Sequence, residues 1–216
     1  PASVSKIEER AFYGCSNLKS IEIPSGITEL SSYIFCQCTS LAEVKLPSSL
    51  HEIKDNAFNQ CTALVNTDFL PENLTKINYR AFYYCKGLTS IYIPASVTTI
   101  GNEAFYGCTG LKVAGIPQTV VSMGNKVFGG CTSLVSYTVP SCVTKINAYE
   151  FQNCTSLVSV TLPETITEIG HYAFDGCTSL SSINIPNGVT KLGEHSFDEC
   201  KSLTTITLPE SITTLD

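Results

Sequence analysis

The sequence predicts an α/β repeat solenoid of about nine 23-residue coils, with a parallel β-sheet on the concave side and short helical turns or loops on the convex side. Three periodicities predict it. All ten prolines (Pro1, Pro24, Pro47, Pro71, Pro94, Pro117, Pro140, Pro163, Pro186, Pro209) are 23 residues apart, except for one step of 24 between Pro47 and Pro71. Nine of the ten phenylalanines, from Phe12 to Phe197, follow a proline by eleven residues. Nine of the eleven cysteines come three residues after those phenylalanines, and a leucine three later still, from Leu18 to Leu203. A period in the range of about 20–50 residues marks a solenoid or array and overrides any local pattern.

Each element follows from one copy. Leu180, Ile183 and Ile185 read L-x-x-I-x-I before Pro186, and the alternation is that of a half-buried strand. Pro186 closes the strand because it lacks an N–H for the ladder. Val189 and Leu192 continue the inward set, and Gly193–Cys200 suits a turn followed by one short helical turn, with Ser196, Phe197 and Cys200 on one side. Inward side chains of one coil can be buried only by the coils above and below. Parallel strands stack about 4.8 Å apart, so nine coils would span about 40 Å. A helical turn is wider than a strand, which places the sheet on the concave side. The unbroken period makes residues 1–216 a single domain. No end cap of the kind solenoids need is visible, so the expectation is a fragment or mature domain of a longer chain.

A net charge of −6 and a pI near 5.1 argue against nucleic acid, which needs a basic stripe. The thirteen Lys and Arg are scattered, and no run approaches the roughly 20 apolar residues of a membrane span.

The repeat L-x-x-I-x-I-P-x-x-V-T-x-I-G-x-x-A-F-x-G-C-T-S-L resembles the BspA-like (Treponema pallidum-type) leucine-rich repeat, over the whole chain. The resemblance implies a leucine-rich-repeat solenoid and a surface or secreted protein of the kind found in oral and gut bacteria and mucosal protists. It also implies a role in adhesion to host-cell or matrix proteins. It implies no catalytic residues and no cofactor.

Departures from the repeat nominate sites. Glu22, Lys45 and Asp68 occupy equivalent outward strand positions, where opposite charges help by about 0.2–1 kcal/mol. The unit from Pro47 to Leu70 carries one extra residue, as a β-bulge would, either functional or a tolerated insertion. Tyr79, Arg80, Tyr83 and Tyr84, with Tyr106 one coil on, form the densest aromatic cluster, and Tyr92 adds a ring on the strand face. Exposed Tyr and Arg suit a contact site; lateral stacking between coils is the alternative. Val113, Ala114, Gly115, Val121 and Met123 break the pattern, through local repacking or an exposed apolar patch. From Val135 onward the strand face is uncharged and rich in hydroxyls and amides, with Thr138, Thr161, Asn184 and Thr207 as candidate contacts. A second hydroxyl row runs through Thr75, Thr98, Thr167 and Thr190. Such a face could bind protein backbone or glycans, or be a solvated sheet.

The ladder cysteines read as buried free thiols acting as small hydrophobes, with Cys36 and Cys142 nearer the surface. His171 and His195 with Asp175, Glu194, Asp198 and Glu199 suit a solvated acidic flank better than a metal site. Asn73 and Asn153 head two N-x-[ST] sequons, of which the second reads as accidental. No Ser-His-Asp, Cys-His or clustered-carboxylate pattern is present, so the expectation is a non-enzyme. Two readings remain: a protein-recognition module, or a structural spacer within a larger protein.

Overall fold

The computed structural model describes residues 3–215, and these wind into a solenoid whose short parallel strands fall in two rows, six of its coils contributing to both. Strands that precede six of the prolines give one row: β1 (Ser20–Glu22), β3 (Glu43–Lys45), β6 (Ser90–Tyr92), β8 (Val113–Gly115), β10 (Ser136–Thr138) and β12 (Ser159–Thr161). The second row follows the proline: β2 (Glu29–Leu30), β4 (Glu52–Ile53), β5 (Lys76–Ile77), β7 (Thr99–Ile100), β9 (Ser122–Met123), β11 (Lys145–Ile146), β13 (Glu168–Ile169), β14 (Lys191–Leu192) and β15 (Thr214–Leu215). Proline makes the corner between them. Its carbonyl accepts the N–H three residues on, as in Ile27 to Pro24 (3.1 Å) and Val97 to Pro94 (3.0 Å). Every strand pair is parallel and in repeat register, Ser20 opposite Glu43 and Ile169 opposite Leu192.

The helical turns expected on the side opposite the strands are not there. No helix occurs among the described residues. The backbone leaves the right-handed region twice per coil, two residues before and two after each phenylalanine: Tyr33 (φ 56°) and Gln37 (φ 65°) around Phe35, His195 (φ 53°) and Glu199 (φ 52°) around Phe197. A left-handed non-glycine residue costs about 1–2 kcal/mol, so something must offset it. Between coils, the N–H groups of Tyr33, Phe35 and Gln37 donate to the carbonyls of Asp55 (2.9 Å), Ala57 (2.8 Å) and Asn59 (2.8 Å) on the next coil. The intervening N–H groups of Ile34, Cys36 and Cys38 close three-residue turns on Ser31, Tyr33 and Phe35. Sequence spacing could not separate this from a helical turn, because both place Phe and Cys inward at i and i+3. A wider helical turn was the reason for expecting a concave strand side. With coils bonded on the turn side at the same 2.8–2.9 Å, that reason falls away.

The core is a set of ladders. The phenylalanine rings stack from Phe12 to Phe197, with most centroids 5.2–5.5 Å apart. Such pairs add about 0.5–1.5 kcal/mol each to the burial of the rings. The ladder cysteines are free thiols, as expected, and they also donate: Cys61 Sγ to the Phe35 carbonyl (3.1 Å), Cys85 to Phe58 (3.0 Å), Cys177 to Phe151 (3.1 Å). Burial pushes these thiols up, Cys108 to about 12. Cys36, expected near the surface, is buried, because its row packs between coils; Cys142 is half-buried. The extra residue before Pro71 interrupts the first strand row. There the buried Thr67 hydroxyl takes over, donating to the Tyr92 carbonyl (2.7 Å) and accepting its N–H (2.8 Å), while Phe69 packs edge-on against Phe58.

One junction differs from the others. No backbone–backbone hydrogen bond joins residues 111–124 to residues 134–147 among the described residues, so both strand rows break between β8 and β10 and between β9 and β11. Side chains bridge instead: Asn147 Nδ2 donates to the carbonyls of Met123 (2.9 Å) and Gly124 (3.1 Å). Gln118 Oε1 accepts from Ser141 Oγ (2.9 Å) and the Cys142 N–H (3.2 Å). The turn side stays bonded, Lys126 to Ala148 (3.1 Å) and Gly130 to Gln152 (2.7 Å). Size explains part of the break. Ala114 and Tyr137 occupy adjacent inward positions that elsewhere hold Ile or Val, Thr67 apart, and the Tyr137 ring tilts against Phe128 and Phe151, each 5.2 Å away. The local repacking expected around Val113–Met123 is therefore present, and Val113 and Val121 are exposed as well.

Phe105→Ala should cost about 3–5 kcal/mol of unfolding free energy, read as a lower urea midpoint. Cys61, Cys85, Cys108, Cys131 and Cys154 should resist a thiol reagent in the folded chain while the exposed Cys15 reacts at once; equal labelling of all would contradict the ladder.

Candidate binding surfaces

The ten candidate residues fall on two separate surfaces. Tyr79, Arg80, Tyr83, Tyr84 and Tyr106 come together on the turn side. Tyr92, Thr138, Thr161, Asn184 and Thr207 share the outermost strand-face row, all exposed and on different coils.

On the turn side the rings engage one another. Tyr83 stacks on Tyr106 (5.4 Å, 15°) and meets Tyr84 edge-on (4.5 Å). The Arg80 guanidinium lies over Tyr79 (4.8 Å) and Tyr83 (4.5 Å) and is held by Glu103, both Nε and Nη2 reaching Oε2 at 2.8 Å. A methyl at Gly107 would fall 2.8 Å from the Tyr84 ring, and one at Gly129 equally close to the Tyr106 ring. Both tyrosines therefore lie over a glycine of the next coil. Burial, aided by Glu103, raises the Tyr79 phenol; burial raises those of Tyr83 and Tyr106 too. This is the lateral stacking geometry, achieved through left-handed turns rather than a shared helical face. A partner would meet only the outer edges of these rings.

A second turn-side ladder was not anticipated. Lys126 lies over Tyr149 (4.2 Å), Tyr149 stacks on Tyr172 (5.0 Å), and Tyr172 on His195 (4.8 Å). Arg10 covers Tyr33 in the same row (5.0 Å). The 23-residue spacing of Tyr149, Tyr172 and His195 was the available signal. These side chains sit on left-handed residues, and their contacts help offset that strain. His195 also meets Asp198 (3.1 Å), and His171 Nδ1 accepts the Glu194 N–H (3.0 Å), which commits both histidines to structural partners. Among the described residues no three His, Cys, Asp or Glu converge on one point.

The strand face is the open surface. Lys45 pairs with Glu22 across β1 and β3 (3.8 Å), as the register requires. Tyr92 is 55% exposed and stands directly opposite Gly115, whose missing side chain leaves open space beside the ring; Val113 is 62% exposed on the same strand. Gly115 opens onto a groove of about 380 Å³ that runs past Lys112, Gln118, Ser136 and Thr138. The second hydroxyl row is already occupied: Thr75 donates to the His51 carbonyl (2.9 Å), Thr167 to Thr144 (3.1 Å) and Thr190 to Thr167 (3.3 Å). It stitches coils together, and Val121, 80% exposed, interrupts it.

Glu150 also escaped the sequence reading. It is fully buried where Ala11, Ala57, Ala81, Ala104 and Ala173 stand in other coils, and neither carboxyl oxygen has a hydrogen-bond partner. Burial pushes its carboxyl well above the carboxylate range; the nearby Val127 N–H, which does not reach hydrogen-bonding geometry, offsets only part of this. Its departure from that alanine row was the signal.

Arg80→Ala removes the ion pair with Glu103 and both ring contacts, and should cost about 1 kcal/mol, a Tm fall of about 2–4 °C. A double-mutant cycle with Glu103→Gln should recover a coupling of about 0.5–1 kcal/mol; no coupling would mean the pair is idle.

Comparison with known proteins agrees with the geometry. The BspA type leucine rich repeat region matches residues 1–112 and 110–216, in 6 copies. A leucine-rich repeat protein from Bacteroides ovatus superposes with a TM-score of 0.67 at 25% identity, over 95% of this chain and 71% of that one. The T. pallidum leucine rich repeat protein gives 0.57 at 28% identity, over 81% and 70%. A leucine rich cell surface protein from Faecalibacterium prausnitzii gives 0.54 at 27% identity, over 84% and 63%. No curated protein matches. A repeat of 23 residues, its Phe, Cys and Leu ladders and its parallel coils thus share one explanation: the chain belongs to the BspA-type leucine-rich repeat family.

Proposed function

We propose that the chain is a non-catalytic protein-recognition module, acting at a cell surface or outside the cell, that holds its partner on the strand face. The observation that carries this reading is the exposed Tyr92 beside the open Gly115 and exposed Val113, followed by a row of exposed side chains at Thr138, Thr161, Asn184 and Thr207. A rigid, half-apolar ring with a polar tip suits an interface anchor, and the uncharged row around it can meet a partner's backbone without desolvating a charge. The partner class is protein, with host matrix or cell-surface protein as the adhesive case. The outer edges of Tyr79, Tyr83, Tyr84 and Tyr106, with Arg80, form a flank that a large partner could reach.

One observation favours a second reading. The same inter-coil bonds repeat along most of the chain, as they would in a structural spacer whose task is stiffness. The two readings separate on binding. The folded domain should bind at least one member of a panel of extracellular-matrix proteins saturably. Tyr92→Ser and a Thr138→Lys/Thr161→Lys pair should each weaken that binding tenfold or more, about 1.4 kcal/mol, with unchanged Tm. Binding that survives both changes but falls in a Tyr79→Ser/Tyr83→Ser/Tyr84→Ser variant would move the contact to the turn side. Absence of binding across the panel would favour the spacer.

A further inference from the structure

The buried carboxyl of Glu150 and the junction where both strand rows break are parts of one arrangement. Glu150 belongs to the coil 134–156, on the turn that still holds the coil 111–133, where the Phe128 N–H donates to the Glu150 carbonyl (3.2 Å). From the strand side, Tyr137 reaches inward to the same place; its ring contacts Phe151, and its hydroxyl, like both Glu150 oxygens, is buried without a hydrogen-bond partner. The ring stack is loosest here as well, with Phe128 6.2 Å from Phe105 and 5.9 Å from Phe151. Three unsatisfied buried polar atoms thus lie beside an internal junction whose strand side, among the described residues, is held by side chains alone. Asn147 and Cys142 of those bridges line a groove of about 450 Å³ between Met123 and Asn147 through which water can approach.

We propose that this junction is a proton-controlled hinge: with Glu150 neutral the coils stay closed, and with Glu150 ionised the strand side opens about the bonded turn side. The titratable groups of the packed coils that feel Glu150 are Tyr137, Cys131 and Cys154, with Cys142 beyond Tyr137. None of them is cationic, so a carboxylate here has no countercharge, and beyond the nearby Val127 N–H only water can stabilise it. Opening supplies that water. The side-chain bridges through Asn147, Gln118 and Cys142 yield first, because they are scattered side-chain contacts, whereas Lys126, Phe128 and Gly130 form a continuous bonded edge.

The direction with pH follows from the burial of the acid. Below the ordinary carboxyl range, near about 4.3, open and closed junctions both hold the proton and the equilibrium is flat. Above it, the open junction releases its proton while the closed one keeps it. Opening therefore grows as pH rises, by up to about tenfold per pH unit, and levels off once the closed-state carboxyl ionises.

The test is amide exchange by NMR on the intact chain between about pH 5 and pH 8, each rate corrected for base-catalysed intrinsic exchange. The Cys142 N–H and the Asn147 side-chain amide, both of which bridge the junction, should show an excess acceleration of up to about tenfold per pH unit. The Lys126 and Gly130 amides on the bonded edge should show none. Glu150→Ala, which restores the residue that five other coils carry, should abolish the excess, and Glu150→Gln, isosteric but unable to ionise, should do the same. Excess exchange that persists in Glu150→Ala would overturn the proposal, as would its absence in the parent chain. An equal acceleration at Lys126 and Gly130 would mean that the whole chain opens, and would overturn it equally.

Discussion

The backbone bond from each phenylalanine N–H to the carbonyl just before the next phenylalanine is the constraint on which the rest depends. Phe35 to Ala57, Phe82 to Ala104 and Phe151 to Ala173 all close at 2.8 Å. Holding that bond sets the coil spacing on the turn side, and with it the stacking distance of the rings and the reach of each ladder thiol to the preceding coil's Phe carbonyl. It also requires alternate N–H groups to point along the solenoid axis, which a helix cannot arrange because all its N–H groups run along its own axis. The left-handed residues on either side of each phenylalanine follow from that geometry.

The strain this imposes falls on side chains that then contact one another. Tyr149, Tyr172 and His195, and the pair Arg80–Glu103, all stand on left-handed backbone and all contact their equivalents on the next coil. Four glycines, Gly14, Gly107, Gly130 and Gly176, relieve the strain at the other left-handed position. Gly107 also leaves room for the Tyr84 ring. Stability and surface chemistry on the turn side are therefore the same contacts. This is why the stacked tyrosines are half-buried, while Tyr92, opposite Gly115 on the strand face, is free to face outward.

Regularity makes the exception between residues 111–124 and 134–147 informative. Elsewhere the turn and the second strand row are bonded from β2 to β15, and the first strand row adds the pairs β1–β3, β6–β8 and β10–β12. Here the turn alone is continuous, and Asn147 and Gln118 substitute for backbone groups. A small residue at Ala114 beside a large one at Tyr137, and a carboxyl at Glu150 in an alanine row, are each tolerable alone. Together they concentrate poor bonding in one layer.

The sequence by itself determined the coil length, the inward rows, the proline corners and the free state of the ladder thiols, because each is a matter of period. A side chain that recurs every 23 residues can only meet its own equivalents. The extra residue before Pro71 was legible for the same reason. Tertiary structure decided the rest. Whether Gly193–Cys200 forms a helical turn depends on where its N–H groups find acceptors, and those lie on the neighbouring coil. That Cys36 is buried, and that the tyrosines are engaged with one another, likewise depends on how adjacent coils abut. Glu150 passed unnoticed in its local context; only the stack encloses it, since a group is buried by what lies above and below it and not by its neighbours in the chain.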